Sequence, residues 1–108
     1  MDPRAAFDEI VDDLAARDPD VEATQMMGRP SIKAGGKLIA CYESRGAMAF
    51  KLPDENERER ALGLDGAQPY DPAQSGRIMG GWVEVPSAQA AEWPRLAEAA
   101  LQLRKSSS

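Results

Sequence analysis

The sequence predicts an α+β fold of two layers, with helices packed against an antiparallel sheet in the order α-β(3)-α-β(2)-α. Three observations support this prediction. Two glycine-containing turns, Gly35-Gly36 and Ser44-Arg45-Gly46, separate three apolar segments within residues 26–52, as in an antiparallel meander. Apolar residues in these segments recur with period 2, which is typical of half-buried strands. Apolar stripes with helical spacing lie on both sides of the meander.

The first helix is predicted to begin at Asp2-Pro3, because aspartate caps helices well and proline at the first helical position loses no hydrogen bond. It should end at Asp18-Pro19, since the residue before a proline avoids the helical conformation. One apolar stripe is expected to face the core: Phe7, Ile10, Val11 and Leu14.

Residues 21–25 should lead into the first strand, which runs to about Met27. Gly28-Arg29-Pro30 then predicts a bulge or bend, because proline cannot donate a hydrogen bond to a neighbouring strand. Pairing should resume over residues 31–33. The alternation over residues 37–43 predicts two faces, with Leu38, Ala40 and Tyr42 on one and Ile39 and Cys41 on the other. In the third strand, the residues expected to share one face are Met48, Phe50 and Leu52.

The second helix should begin at Pro53-Asp54, where Asp54 and Glu57 have the spacing of a capping box, and should end by Gly63 or Gly66. A short strand is expected near residues 68–71 and a surface loop near residues 73–77.

The last strand is predicted over residues 82–85, with Val83 and Val85 inward on one face or Trp82 inward on the other. The final helix should begin at Trp93-Pro94. Proline is tolerated in the first turn of a helix but costs about 3 kcal/mol or more in its interior.

The chain has 108 residues, the usual size of one domain, so we expect a single domain over residues 1–108 with a frayed tail from about residue 105. No apolar run approaches the ~20 residues of a membrane helix. The acidic N-terminus does not resemble a secretory signal. A single cysteine, Cys41, excludes an internal disulfide, and these features together favour a reducing cytoplasm.

The residue types needed for common catalysis are scarce. The chain contains no histidine, the commonest general base and transition-metal ligand. Cys41 lies between apolar neighbours and is expected to be a core residue and not a nucleophile. Glu43 and Glu84 lie on predicted strands, but the sequence does not place them at a separation suited to acid–base catalysis. We therefore expect no catalytic residue, no metal site, no cofactor and no enzymatic activity.

The net charge of -5 is unevenly distributed along the chain. Residues 1–25 carry eight acidic and two basic side chains, whereas residues 26–53 carry five basic and one acidic. The simpler interpretation is an acidic solvated helix beside a sheet whose edge lysines discourage aggregation. The functional interpretation is a docking surface on the meander, whose candidate residues are Arg29, Pro30, Lys33, Lys37 and Arg45.

Two motifs carry a resemblance to a known family. Residues 26–33 (MMGRPSIK), with residues 35–40 (GGKLIA) and 49–52 (AFKL), resemble the N-terminal domain of the bacterial TfoX/Sxy competence regulators. Residues 81–86 (GWVEVP) and the following helix are similar to the closing strand and helix of that domain. The resemblance covers about residues 5–104 and implies the same element order, in a shape shared with the MmcQ/YjbR group. Met27 stands where the family favours an aromatic residue.

The resemblance implies a regulatory role, since the full-length regulators act with the catabolite activator protein at competence promoters. They carry a further helical domain, which we expect this chain to lack. We therefore predict a small non-catalytic regulatory or protein-interaction domain with a protein partner, as a monomer or with weak self-association. Direct DNA binding is not expected, because the chain is acidic and its basic residues are spread over turns and strands. The alternative is a small-ligand or anion-binding domain that uses the basic side chains of the meander: Arg29, Lys33, Lys37 and Lys51.

Overall fold

One antiparallel sheet of six strands forms the centre of the computed structural model, which describes residues 2–106. The strands lie side by side in the order β1-β2-β3-β4-β6-β5. The elements along the chain are α1 (Pro3–Arg17), β1 (Val21–Met26), β2 (Arg29–Ala34), β3 (Lys37–Glu43), β4 (Ala47–Lys51), α2 (Glu55–Leu62), β5 (Gln68–Pro69), β6 (Trp82–Pro86), a 3-10 helix (Ser87–Glu92) and α3 (Trp93–Ser106). The predicted α+β class, with helices on an antiparallel sheet, is confirmed.

Helix α1 begins and ends where the sequence predicts. The Asp2 carboxylate accepts hydrogen bonds from the backbone N–H groups of Arg4 and Ala5, at 3.4 and 3.2 Å. Asp18 ends the helix, and its N–H still donates to the carbonyl of Leu14. The buried side of α1 consists of Phe7, Ile10 and Leu14.

The predicted bulge at residues 28–30 is instead a hairpin turn. Met27 and Gly28 connect β1 to β2, and both have positive φ, 52° and 82°, as the common two-residue hairpin turn requires. Arg29 therefore pairs with Met26, and Pro30 pairs with Gln25. The predicted first strand is two strands, so the meander has four strands instead of three.

A bulge does occur, but further along the meander. Ile32 pairs with Ala40 whereas Lys33 pairs with Leu38, so that Ile39 is an extra residue on β3. Beyond the bulge the alternation shifts by one residue. Ile39 consequently joins Ala40 in the core beneath the helices, and Leu38 packs on the opposite face of the sheet. The predicted faces are wrong for these two side chains, Leu38 and Ile39.

The main core lies between the helices and one face of the sheet. It combines Met48 and Phe50 of β4 with Val83 and Val85 of β6, all fully buried. Residues of all three α-helices join the same cluster, which confirms the two-layer arrangement. No helix among residues 2–106 has the length and apolar character needed to cross a membrane.

Helices α2 and α3 also begin as predicted. Asp54 caps α2 by accepting a hydrogen bond from the backbone N–H of Glu57 at 2.9 Å. Helix α3 begins at Trp93, whose indole N–H donates to the carbonyl of Val85 at 3.2 Å. It continues to Ser106, so the predicted frayed tail does not begin at residue 105. The remainder of that tail, residues 107–108, lies outside the described residues.

The second face of the sheet carries a smaller cluster, formed by Cys41, Ala49, Tyr70 and Trp82. The rings of Tyr70 and Trp82 lie 5.8 Å apart. Val83 and Val85 thus face the helices while Trp82 faces the other side, so both alternatives for the last strand apply. The predicted strand near residues 68–71 is shorter, Gln68–Pro69, and residues 73–77 form the expected exposed loop.

Candidate interaction surface

The five residues predicted to form a docking surface lie at two ends of the sheet. Arg29 and Pro30 begin β2, and Arg45 lies in the neighbouring turn between β3 and β4. Lys37 begins β3 at the opposite end, and Lys33 lies closer to Lys37 than to Arg29 along the hairpin. At ~3.3 Å per residue, the length of β2 separates the two groups by about 17 Å.

At the first end, Arg29 and Arg45 are ion-paired with two buried glutamates, Glu43 and Glu84. We call these four residues the arginine–glutamate cluster. Arg29 Nε lies 2.6 Å from Glu43 Oε2, and Arg45 reaches Glu43 Oε1 at 3.4 Å. Arg45 also donates from Nε and Nη2 to the two oxygens of Glu84, at 2.9 and 2.5 Å. The glutamate side chains are only 4% and 8% exposed.

Charge balance explains why such a cluster can be buried. Two guanidinium groups face two carboxylates, and the fork of Arg45 matches the carboxylate of Glu84 in the two-bond geometry that is strongest for this pair. The bond to Glu84 raises the pKa of Arg45 further above its ordinary value. The cluster therefore has no net charge of its own.

Tyr70 and Cys41 extend the cluster into the apolar second face. The Tyr70 hydroxyl donates to Glu43 Oε2, and the Cys41 thiol donates to the Tyr70 oxygen at 3.2 Å. Burial raises the pKa of the Cys41 thiol to about 11. Burial likewise raises the pKa of Tyr70, and its bonds to Cys41 and Glu43 act in the same direction. Both groups are thus protonated near neutral pH. Cys41 is fully buried, which confirms it as a core residue.

The carboxylate oxygens of the arginine–glutamate cluster are all occupied by hydrogen bonds. All four carboxylate oxygens already accept a hydrogen bond from a guanidinium or the phenol. Arg29 also donates from Nη2 to the carbonyl of Pro72 at 2.9 Å, which attaches the loop after β5 to the sheet. The sequence alone does not predict that Glu43 and Glu84 belong to one cluster. Arg45 joins them, and it lies 39 positions from Glu84 in the chain. These contacts hold the second face together.

The hairpin turn beside the cluster carries an unusual side chain. Met27 is 88% exposed. Its backbone adopts the left-handed conformation, which residues other than glycine and asparagine seldom take. Ile78 is the other large apolar side chain that is well exposed among residues 2–106, at 60%.

A concavity of about 440 Å³ lies next to Met27. Arg29 and Glu43 of the arginine–glutamate cluster reach its wall, so the cluster fixes one side of it. Its other side is formed by α1 and β1 residues, and Arg4 there is held to Asp8 at 3.1 Å. We call Met27 with this concavity the hairpin surface; its further lining includes Gln25, Gly28, Pro30, Tyr42 and Ser44.

The residues of the predicted anion site are likewise divided. Arg29 forms an ion pair with Glu43, and Lys33 lies opposite Glu22 of β1. Lys37 and Lys51, in contrast, line one small pocket together with Arg104 of α3. No signal in the sequence points to Arg104, because it approaches the sheet from α3, some fifty residues beyond β4.

Among residues 2–106, no group of three or more cysteine, aspartate or glutamate side chains is placed to hold a metal ion. Comparisons with protein-family models, with curated proteins and with solved structures find no match to this chain. The similarity to the TfoX N-terminal domain therefore stays a prediction that depends on its short motifs.

Proposed function

We propose that this domain is a non-catalytic protein-interaction module that binds a protein partner through the hairpin surface. The resemblance to the TfoX N-terminal domain favours a partner in transcriptional regulation. No catalytic role is proposed for the buried carboxylates, since guanidinium groups and a phenol occupy their oxygens. Direct DNA binding is not part of the proposal, because the basic residues of the meander lie at two separate ends of the sheet.

The exposure of Met27 is the observation that carries this proposal. A side chain in the left-handed conformation costs about 1–2 kcal/mol, and hairpin turns of this type favour Asn-Gly or Asp-Gly. Met27 does not recover that cost within the domain, because 88% of it is exposed. An apolar pocket on a partner would recover it, and methionine adapts well to such pockets.

The rest of the surface suits a partner that combines an apolar pocket with a protruding side chain. The pocket would receive Met27, and the side chain would enter the concavity against Tyr42. The arginine–glutamate cluster is neutral, so affinity at this surface should depend on apolar contact more than on charge. Exposed apolar anchors beside a rigid wall are typical of interaction hot spots.

A substitution that tests this surface has to leave the arginine–glutamate cluster intact. Charge reversal of Arg29 would place a carboxylate against the buried Glu43, and the domain would lose stability for reasons unrelated to docking. Met27→Asn avoids this difficulty. Asparagine suits the turn, so the variant should fold at least as stably as the parent, with a gain of up to about 1 kcal/mol.

We would immobilise the parent domain, Met27→Asn and Ile78→Asn, and compare the proteins that each captures from a lysate. Ile78→Asn is the matched control, since it removes the second exposed apolar side chain and leaves the hairpin intact. The proposal expects a partner that the parent and Ile78→Asn retain and Met27→Asn loses. Equal capture by all three domains would contradict it. Sedimentation of the parent and Met27→Asn shows whether that partner is a second copy.

A further inference from the structure

Three cationic side chains line one small pocket at the end of the sheet away from Met27. Lys37, Lys51 and Arg104 surround a volume of about 120 Å³, which we call the basic pocket. Its remaining lining is apolar and comes from Ile39, Pro53 and Ala100. Ile39 and Ala100 are almost completely buried, so they form a rigid floor.

Each cation is placed by a different element of the fold. Lys37 begins β3 directly after the Gly35-Gly36 turn, and Lys51 ends the neighbouring β4. Arg104 lies in the last turn of α3, where its Nε and Nη2 donate to the carbonyls of Ala34 and Gly35, both at 3.1 Å. These two bonds hold the guanidinium over the same turn that precedes Lys37. The Arg104 guanidinium is therefore held in place before any ligand arrives.

The electrostatics of the basic pocket differ from those of the rest of the domain. No carboxylate among residues 2–106 lines it, and within that range neither Lys37 nor Lys51 forms an ion pair. The like charges of Lys37 and Lys51 repel each other in this small space, and the apolar floor reduces the screening that water would provide. An anion would relieve this repulsion, and this is notable in a chain whose net charge is -5.

We propose that the basic pocket binds a phosphate group. The pocket volume of about 120 Å³ leaves room for one tetrahedral anion. Lysine serves as a point-charge donor to phosphate, and arginine adds directed N–H bonds. Free inorganic phosphate and the phosphate group of a small monoester offer the same chemistry here.

The test is a titration with sodium phosphate, followed by amide NMR of the whole chain at constant ionic strength adjusted with sodium chloride. Saturable shifts should appear at Gly36, Lys37 and Lys51, and not at Met27. Lys37→Gln and Lys51→Gln should each weaken binding about tenfold, the effect of losing one charge-assisted hydrogen bond of about 1.4 kcal/mol. Lys33→Gln is the matched control and should change affinity less than about twofold.

A parallel titration with glycerol 3-phosphate separates the two sources of the anion. Tighter binding of the monoester would assign the pocket to phosphorylated small molecules, and tighter binding of inorganic phosphate would assign it to the free ion. The proposal is overturned if shifts do not saturate up to about 10 mM phosphate, ten times the dissociation constant of a weak site near 1 mM. Binding that survives both lysine substitutions would also overturn it. Melting temperatures of the variants show that each is folded, and neither result bears on partner capture by Met27.

Discussion

The two ends of the sheet both carry cationic side chains, but they use them differently. At one end Arg29 and Arg45 face the buried carboxylates Glu43 and Glu84 at hydrogen-bonding distances. At the other end Lys37 and Lys51 share a pocket with a third cation and with no acidic side chain among residues 2–106.

The burial of a charge and its partners decide how that charge is interpreted in this fold. Removing one partner of a buried ion pair destabilises the fold, because the other charge is then buried without compensation. An exposed charge without a partner contributes little to stability and remains available for a ligand. The predicted basic surface of the meander combined residues of both kinds.

The largest expected effect tests the paired end. Arg45→Met removes both hydrogen bonds to Glu84 and leaves its carboxylate buried. The free energy of unfolding should fall by about 3 kcal/mol or more, as measured by urea denaturation. The double variant Arg45→Met with Glu84→Met should recover most of that loss, since apolar side chains of similar size often replace a buried pair without cost. A loss below about 1 kcal/mol in the single variant would show that the pair does not act as a buried one.

The next effect uses pH to test the buried side of the same cluster. The pKa of Cys41 is raised from an ordinary value of 9.0 to about 11, so the folded state holds this proton more tightly than the unfolded chain does. The stabilisation that results is complete below about pH 9, decreases as the pH rises and is lost above about pH 11. Across this window the thiol should account for a loss of about 2–3 kcal/mol.

Other groups also titrate at high pH, so the measurement is a difference between two proteins. Urea denaturation of the parent and of Cys41→Ala should be compared at several pH values through that window. The stability gap between them should change in favour of Cys41→Ala as the pH rises. If the gap stays constant, the thiol titrates at a similar pH in the folded and unfolded chains.

A smaller effect concerns the phenol that joins Cys41 to Glu43. Tyr70→Phe removes the hydroxyl that donates to the carboxylate and accepts from the thiol. We expect thermal denaturation to show a loss of about 1.5–3 kcal/mol, the range for a hydrogen bond to a charged group. Tyr42→Phe is the control, since Tyr42 is half-buried and packs its ring on Phe7 at 5.7 Å. Equal losses in the two variants would show that the effect does not come from the hydrogen bonds of the Tyr70 hydroxyl.

Local signals in the sequence predicted most of the fold. The caps Asp2 and Asp54, the break at Asp18-Pro19 and the start of α3 at Trp93 each depend on neighbours within a few residues. The hairpin at Met27-Gly28 was missed because methionine is unusual in a turn that favours asparagine or glycine. The bulge at Ile39 was missed because its neighbours are apolar on both faces, so the alternation shows no break.

The candidate sites were less predictable, because each is assembled by distant parts of the chain. Arg45 meets Glu84, and Arg104 meets Lys37, only after the sheet and α3 are in place. The sequence showed that the meander is basic, but the partners that neutralise Arg29 and Arg45 lie on strands that looked merely half-buried. One signal was available: Cys41, Glu43, Trp82 and Glu84 would share a face, which suggests that this second face is covered.

The smallest expected effect concerns the basic pocket, at the other end of the sheet. Lys51→Met removes an exposed cation from the basic pocket, and within residues 2–106 Lys51 forms no ion pair. The free energy of unfolding should therefore change by no more than about 0.5 kcal/mol, the range of ordinary surface substitutions. The sign is informative, because relief of repulsion from Lys37 favours a small gain in stability. Salt screens such repulsion, so the gain should be greatest at low ionic strength and shrink near 1 M salt, where the screening length is about 3 Å.

Thermal denaturation of the parent and Lys51→Met at both salt concentrations measures this change in stability. A loss of stability as large as that of Arg45→Met would mean that Lys51 is part of a structural network and that the two ends of the sheet do not differ in the way described.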